Sequence, residues 1–245
     1  MANLALRLSE HDDRLVVHLA RPESRNAIDQ QMVDELHEVC GDLEGRPRIL
    51  LLIGDGGTFA AGADIGQLRA RGRLEALRGI NSSLFDRIRN LPMPTIALLD
   101  GYVLGGGAEL AYACDFRIAT PGIRIGNPEP GLGIIAAAGA TWRLKELVGE
   151  PLAKEILLAG RMLDADQAFA AHLVGSIVEP DDLLDAGHRL ADAMAQQSAL
   201  ALRLTKAAFH APREAHPLVD DLAQAILFET EDKHDRMTAF LERKK

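Results

Sequence analysis

Three successive glycines, Gly105 to Gly107, run into a short apolar segment that carries one carboxylate, Glu109. Glycine lets a backbone approach a ligand closely and turn sharply. A helix that opens on such a turn presents unpaired N–H groups and the positive end of its dipole. Together these make a pocket for a developing negative charge without a metal or a lysine. Glu109 follows Gly106 by three residues and so falls in the first helical turn, beside those donors. A carboxylate among Ala108, Leu110, Ala111 and Ala113 is costly to bury without a partner or a task. The chemistry indicated is acid–base work next to an oxyanion hole. A phosphate-binding turn or a close helix–strand contact is the competing account of the glycines, although neither G-x-G-x-x-G nor a P-loop pattern occurs.

A second carboxylate, Glu129, stands in Gly126-Asn-Pro-Glu-Pro-Gly-Leu-Gly133, which its prolines and glycines make a rigid loop. By itself Glu129 reads as a solvated loop residue. Its weight comes from pairing with Glu109, because two carboxylates in unlike environments on one pocket divide into an acid and a base. The loop Phe59-Ala-Ala-Gly-Ala-Asp-Ile65 has small residues that leave backbone N–H groups accessible, and Asp64 can cap a following helix. A plain strand-to-helix connection explains that loop equally well. The histidines form no ligand cluster, and no G-x-S-x-G nucleophile elbow is present.

These residues need elements to hold them. Leu4–Leu8 and Leu15–Leu19 alternate as strands of a hairpin about Glu10 to Asp13. Asp29 to Leu43 has the apolar spacing of an amphipathic helix, with Asp29 as its N-cap. Ile49–Ile53 and Thr95–Leu99 read as fully buried strands. Each feeds a glycine-rich loop and then a helix, the first of them predicted over 65–90. In open α/β sheets that end of the strand is where ligands bind. Short strands follow at 116–119 and 123–125. From Ala138 the pattern is helical over 138–148, 151–159, 165–171, 182–197, 199–210, 215–230 and 232–243, with one strand at 176–179. Strands early and helices late predict a mixed α/β core with a helical extension.

The 245 residues suffice for one large core, and 47% are hydrophobic while only 4% are aromatic, so Leu, Ile, Val and Ala must fill it. A net charge of −9, with no basic run beyond Arg243-Lys244-Lys245, disfavours nucleic acid as a partner. Cys40 and Cys114 sit in apolar helical patterns and read as buried thiols. Met1 to Ala20 lacks the apolar core of a secretory signal, and no apolar run reaches membrane-spanning length. The expected location is cytoplasmic, with no membrane partner.

Taken together, Arg21–Ala27, Phe59–Ile65, Gly101–Asp115, Gly126–Gly133 and Glu229–Arg243 resemble the crotonase superfamily, most nearly its enoyl-coenzyme A hydratase branch. The resemblance implies an α/β fold, a crotonase-like spiral of ββα units over residues 1–190. It also implies a C-terminal helical region, 191–245, that forms homotrimers or dimers of trimers. It implies an acyl-coenzyme A substrate, with coenzyme A part of that substrate and no separate cofactor or metal. The N–H groups of Ala63 and Gly106 would receive the thioester oxygen. Arg25, Ala61, Asp64, Ile65 and Gly66 would join them in binding the substrate. Glu109 and Glu129 match the paired catalytic glutamates: the first activates a water for the β-carbon, and the second helps hold it and exchanges the α-proton.

One stretch departs from the family pattern. Ala136-Ala-Ala-Gly-Ala140 replaces a Pro-Gly-x-Gly-Gly-like run, and the added methyl groups are expected to shrink the acyl pocket or displace the water. Trp142 stands where a polar residue is common. The leading expectation is hydration of 2-enoyl thioesters. The alternatives are double-bond isomerisation, which runs on one carboxylate, and a non-catalytic acyl-coenzyme A binding protein.

Overall fold

The computed structural model describes residues 4–243, so Met1 to Asn3 and Lys244-Lys245 of the terminal basic run lie outside the described residues. β1 (Leu6–Glu10) and β2 (Arg14–Leu19) form the expected hairpin, antiparallel with Leu6 opposite Leu19. Asp29 caps α1 (Gln30–Gly45) by accepting from the Met32 N–H at 2.9 Å. The buried face of α1 is Met32, Val33, Leu36, Val39, Cys40 and Leu43, the positions its periodicity selects.

β3 (Ile49–Gly54) runs parallel to β2. The helical stretch predicted over 65–90 is three helices: α2 (Ile65–Ala70), α3 (Arg73–Leu77) and α4 (Ile80–Arg89). The breaks fall at Gly72 and Gly79, and Gly79 takes a left-handed φ of 63° that other residues resist. β4 (Thr95–Leu99) then leads through β5 (Tyr102–Leu104) into α5 (Gly106–Ala113). Its three residues are too few for β5 to show alternation, and the sequence pattern passes over it. β6 (Phe116–Ala119) and β7 (Arg124–Gly126) follow. Next come α6 (Ala140–Val148), α7 (Glu150–Ala159), α8 (Ala165–Ala170) and β8 (Ser176–Ile177). α9 (Leu183–Ala195), α10 (Ala199–His210), α11 (Leu218–Phe228) and α12 (Glu231–Glu242) complete the chain.

The large sheet has the order β1-β2-β3-β4-β6-β8, and every pairing after β1–β2 is parallel. A second layer holds the parallel pair β5–β7, extended by single bridges Ile28–Ala63, Ala60–Val103 and Ile125–Leu163. Successive turns of chain therefore leave one strand in the large sheet and one shorter stretch in the second layer before a helix returns the chain. That repeated turn is a spiral. Leu50 and Leu52 of β3 pack into one core and Ile49 and Leu51 into the other, so both faces of the strand are buried. The second core is closed by Leu183, Ala186, Ala191 and Met194 of α9. The expected division at 190/191 runs through this helix. Beyond it, Ala208 is the one buried residue described within α10, α11 and α12.

Arg117 of β6 ties the C-terminal end of α5 to this frame. Its buried guanidinium donates to the carbonyls of Leu173 (2.6 Å), Cys114 (2.6 Å) and Ala111 (3.2 Å), the last two from the end of α5. Burial lowers its pKa to about 10, yet it stays charged and complements the helix dipole. Arg117→Met should strand those carbonyls. Relief of the guanidinium's own desolvation offsets part of the loss, and the net cost should be about 2–4 kcal/mol in urea unfolding.

Candidate active site

The glycine run each serves a separate contact. Gly105 has a φ of 51°, and a Cβ there would lie 2.9 Å from Oε1 of Glu129. A Cβ on Gly107 would lie 2.2 Å from the Ala60 carbonyl oxygen, so this residue is the close contact that seats α5 on the 60–63 loop. A Cβ on Gly106 would lie 3.4 Å from the Ala63 nitrogen, which brings the two expected oxyanion donors side by side.

Both donors are available. In the Ile28–Ala63 bridge, Ile28 N–H donates to the Gly62 carbonyl at 2.8 Å and Asp64 N–H to the Ile28 carbonyl at 2.9 Å. That pairing turns the Ala63 N–H to the opposite side. Gly106 is the first residue of α5, where no preceding turn supplies an acceptor. Among the described residues neither N–H has a protein acceptor.

Glu109 is buried, and its Oε1 accepts from the backbone N–H groups of Ala138 at 2.7 Å and Ala140 at 3.1 Å. Burial pushes its carboxyl up to about 7; the Ala140 amide opposes that shift, the Glu129 charge adds to it, and the Ala138 amide opposes it. The alanine run 136–140 is thus also a source of donors for Glu109. The methyl groups were visible in the sequence, whereas the amides that matter became visible only once the chain was folded.

Glu129 opens a short 3₁₀ turn, Glu129–Leu132, and is also buried. Its Oε2 has no partner among the described residues, while Oε1 lies 3.5 Å from Nδ2 of Asn127. Asn127 is fixed in turn by the Tyr112 hydroxyl, which donates to Oδ1 at 3.1 Å. Tyr112 sits one helical turn beyond Glu109, so α5 governs both carboxylates. Burial raises the Glu129 carboxyl as well.

Both glutamates face one cavity of about 480 Å³, together with Ala61, Ala63, Ile65 and Gly106. Leu68, Ala76, Asn81, Leu132, Ile134 and Ile135 supply further wall. Asn81, whose Oδ1 is buried without a partner among the described residues, carries no motif in the sequence and lies just after the break at Gly79. Asp64 and Gly66 do not line the cavity. The Asp64 carboxylate caps α2 by accepting from Gln67 N–H at 2.9 Å. Arg25 also lies outside the cavity wall: its carbonyl accepts from Ala61 N–H at 3.0 Å, and its guanidinium stands 5.5 Å from the centre of the Tyr102 ring.

Residues 12–245 match the family model described as enoyl-CoA hydratase/isomerase. The chain belongs to that family. Among its family relatives, the short-chain-enoyl-CoA hydratase of Clostridium acetobutylicum is 35% identical, covering 94% of this chain and 92% of the relative. The 2,3-dehydroadipyl-CoA hydratase of Escherichia coli is 36% identical, with coverage of 94% and 92%. A crystal structure of an enoyl-CoA hydratase from Bacillus anthracis superposes with a TM-score of 0.91 at 28% identity, covering 98% of this chain and 96% of that one. The spiral described above is the crotonase fold of these hydratases.

The family member's buried Glu109 should leave a signature in stability. Unfolded, a glutamate titrates near 4.5, and in the site Glu109 titrates at about 7. Below the first value both states are protonated and nothing is lost. Between the two values the unfolded state ionises while the folded state keeps its proton, so stability falls as pH rises, and above the second value the loss levels off. Glu109→Gln keeps the acceptor for Ala138 and Ala140 without that charge. Its unfolding free energy should gain on the parent between pH 4.5 and 7, levelling at a difference on the order of 3 kcal/mol. A difference independent of pH would contradict the buried, elevated carboxyl.

Proposed function

We propose that the protein reversibly hydrates 2-enoyl-coenzyme A thioesters to 3-hydroxyacyl-coenzyme A. The observation that carries this reading is the pair of buried, elevated carboxyls, Glu109 and Glu129, on one cavity with the unpartnered N–H groups of Ala63 and Gly106. The hydratase names of the relatives support it. The thioester oxygen accepts from Ala63 and Gly106, which stabilise the enolate charge that builds there as water attacks. Glu109, anchored through Oε1, takes a proton from the water as its oxygen bonds to the β-carbon. Glu129 in its protonated form, which burial favours, gives its proton to the α-carbon, and the proton on Glu109 restores it through solvent. The sum is one water added, with no metal or redox cofactor called upon. Coenzyme A enters as part of the substrate, contacted by the 61–66 segment and by Arg25 at its edge.

The protein acts in this reading as a cytoplasmic homotrimer or dimer of trimers. Exposed apolar side chains on α10, α11 and α12 support an assembly: Phe209, Leu218, Leu222 and Leu241 are each more than half exposed in the single chain. Among the described residues no helix is long and apolar enough to cross a membrane. Sedimentation should give three or six times the mass of one chain.

Crotonoyl-coenzyme A tests the activity through loss of the conjugated thioester absorbance, with the product carrying one added water. Glu109→Gln and Glu129→Gln should each lower kcat by about 10²–10⁴ while thioester affinity changes only a few-fold. Near-normal turnover in both variants would overturn the proposal. Conversion of a 3-enoyl thioester without hydroxylated product would identify an isomerase.

A further inference from the structure

The cavity does not end at Glu109. A second compartment of about 210 Å³ shares Ser82, Glu109, Ala137 and Ala138 with the main one and extends beyond them. A thioester seated between Ala63 and Gly106, with its β-carbon at Glu109, sends the remainder of its acyl chain this way. Ser82, Phe85 and Arg89 follow one another along one face of α4, so the wall runs from polar to buried apolar to cationic. Trp142 forms the opposite wall, its ring centre 5.1 Å from the Arg89 guanidinium carbon.

Arg89 is the unexplained group here. Its Nε is buried with no hydrogen-bond partner, and among the described residues no carboxylate pairs with it. The other guanidinium in the compartment, Arg143, is already engaged, with Nε donating to the Tyr112 carbonyl at 3.3 Å and Nη1 to Glu146 at 3.1 Å. Asp86 lines the same space, is exposed, and makes no ion pair with Arg89. His210 also reports the local excess of positive charge: burial and then Arg89 lower its pKa to about 4. A guanidinium is always charged and offers donors only, so a half-buried one without an acceptor is costly unless a ligand supplies one.

We propose that the substrate's acyl chain ends in a carboxylate that Arg89 receives at the far end of this compartment, an inference that rests on the hydratase reading. Size agrees with the charge. At about 30 Å³ per water-sized group the compartment takes about seven heavy atoms, enough for a short methylene chain and its terminal carboxylate.

The test compares adipoyl-coenzyme A with hexanoyl-coenzyme A, equal in length and differing only at the terminus, by calorimetric titration of the intact protein. The parent should bind the adipoyl thioester about ten- to hundredfold more tightly, the range of a charge-assisted hydrogen bond. Arg89→Met should bring the ratio to about one or below, and Arg89→Lys should restore part of it. A ratio of one or less in the parent would overturn the proposal, as would a preference that survives Arg89→Met. The parent's ratio is decisive even if a variant fails to fold. A carboxylate from a neighbouring subunit seated on Arg89 would also give a ratio at or below one. Saturated thioesters do not turn over, so this ratio is independent of hydration. Failure of the hydratase reading appears instead as no water added to crotonoyl-coenzyme A.

Discussion

The site depends on how closely α5 can lie against the 60–63 loop. That distance is set where side chains are missing: a Cβ on Gly107 would meet the Ala60 carbonyl at 2.2 Å, and one on Gly105 would meet Glu129 at 2.9 Å. No repacking of neighbours relieves a clash with a backbone carbonyl. Because the contact is this close, the first N–H of the helix and the Ala63 N–H stand together, and Glu109 and Glu129 open on one cavity. Arg117 fixes the other end of the same short helix through the Ala111 and Cys114 carbonyls. An eight-residue helix clamped at both ends carries the Gly106 N–H, the Glu109 carboxylate and, through Tyr112 and Asn127, the setting of the second carboxylate.

Local pattern made much of this legible. The hairpin, α1 with its Asp29 cap, the buried strands β3 and β4, and the late helices all follow from period, capping and breaker residues acting over a few positions. Glu109 was legible for a related reason, since a lone carboxylate in an apolar run is conspicuous wherever it folds. What escaped was decided by contacts distant in sequence. β5 is recognisable only by its partner β7 and by the Ala60–Val103 bridge. The hold on Glu109 comes from amides about thirty residues away, and amides carry no residue identity to read. Asp64 shows the converse. Its type and position suited a helix cap while the family resemblance implied a substrate contact, and the structure shows its side chain at the cap.

The alanine run illustrates how volume and hydrogen bonding separate. The methyl groups of Ala137 and Ala138 form part of the wall, since both residues line the cavity. The backbone there still presents Ala138 and Ala140 N–H groups to Oε1 of Glu109. A substitution that alters side-chain shape can thus leave intact the polar contacts made by its own backbone. The expected effect of the run on the acyl end of the cavity and its effect on the carboxylate are separate questions.

The two carboxyls also explain why the site resists being simplified. Glu109 has two amide donors and still titrates at about 7, because burial outweighs them. Among the described residues, Oε2 of Glu129 has no hydrogen-bond partner. A core selected only for stability replaces such groups with apolar ones or completes their hydrogen bonds. Here the donors orient Glu109 without lowering its pKa fully, which suits the base role proposed for it. Burial raises the Glu129 carboxyl too, which suits the acid role proposed for it. Full satisfaction of either group would stabilise the fold and remove the proposed division of roles, so the incomplete hydrogen bonding is the feature on which the proposed acid–base chemistry depends.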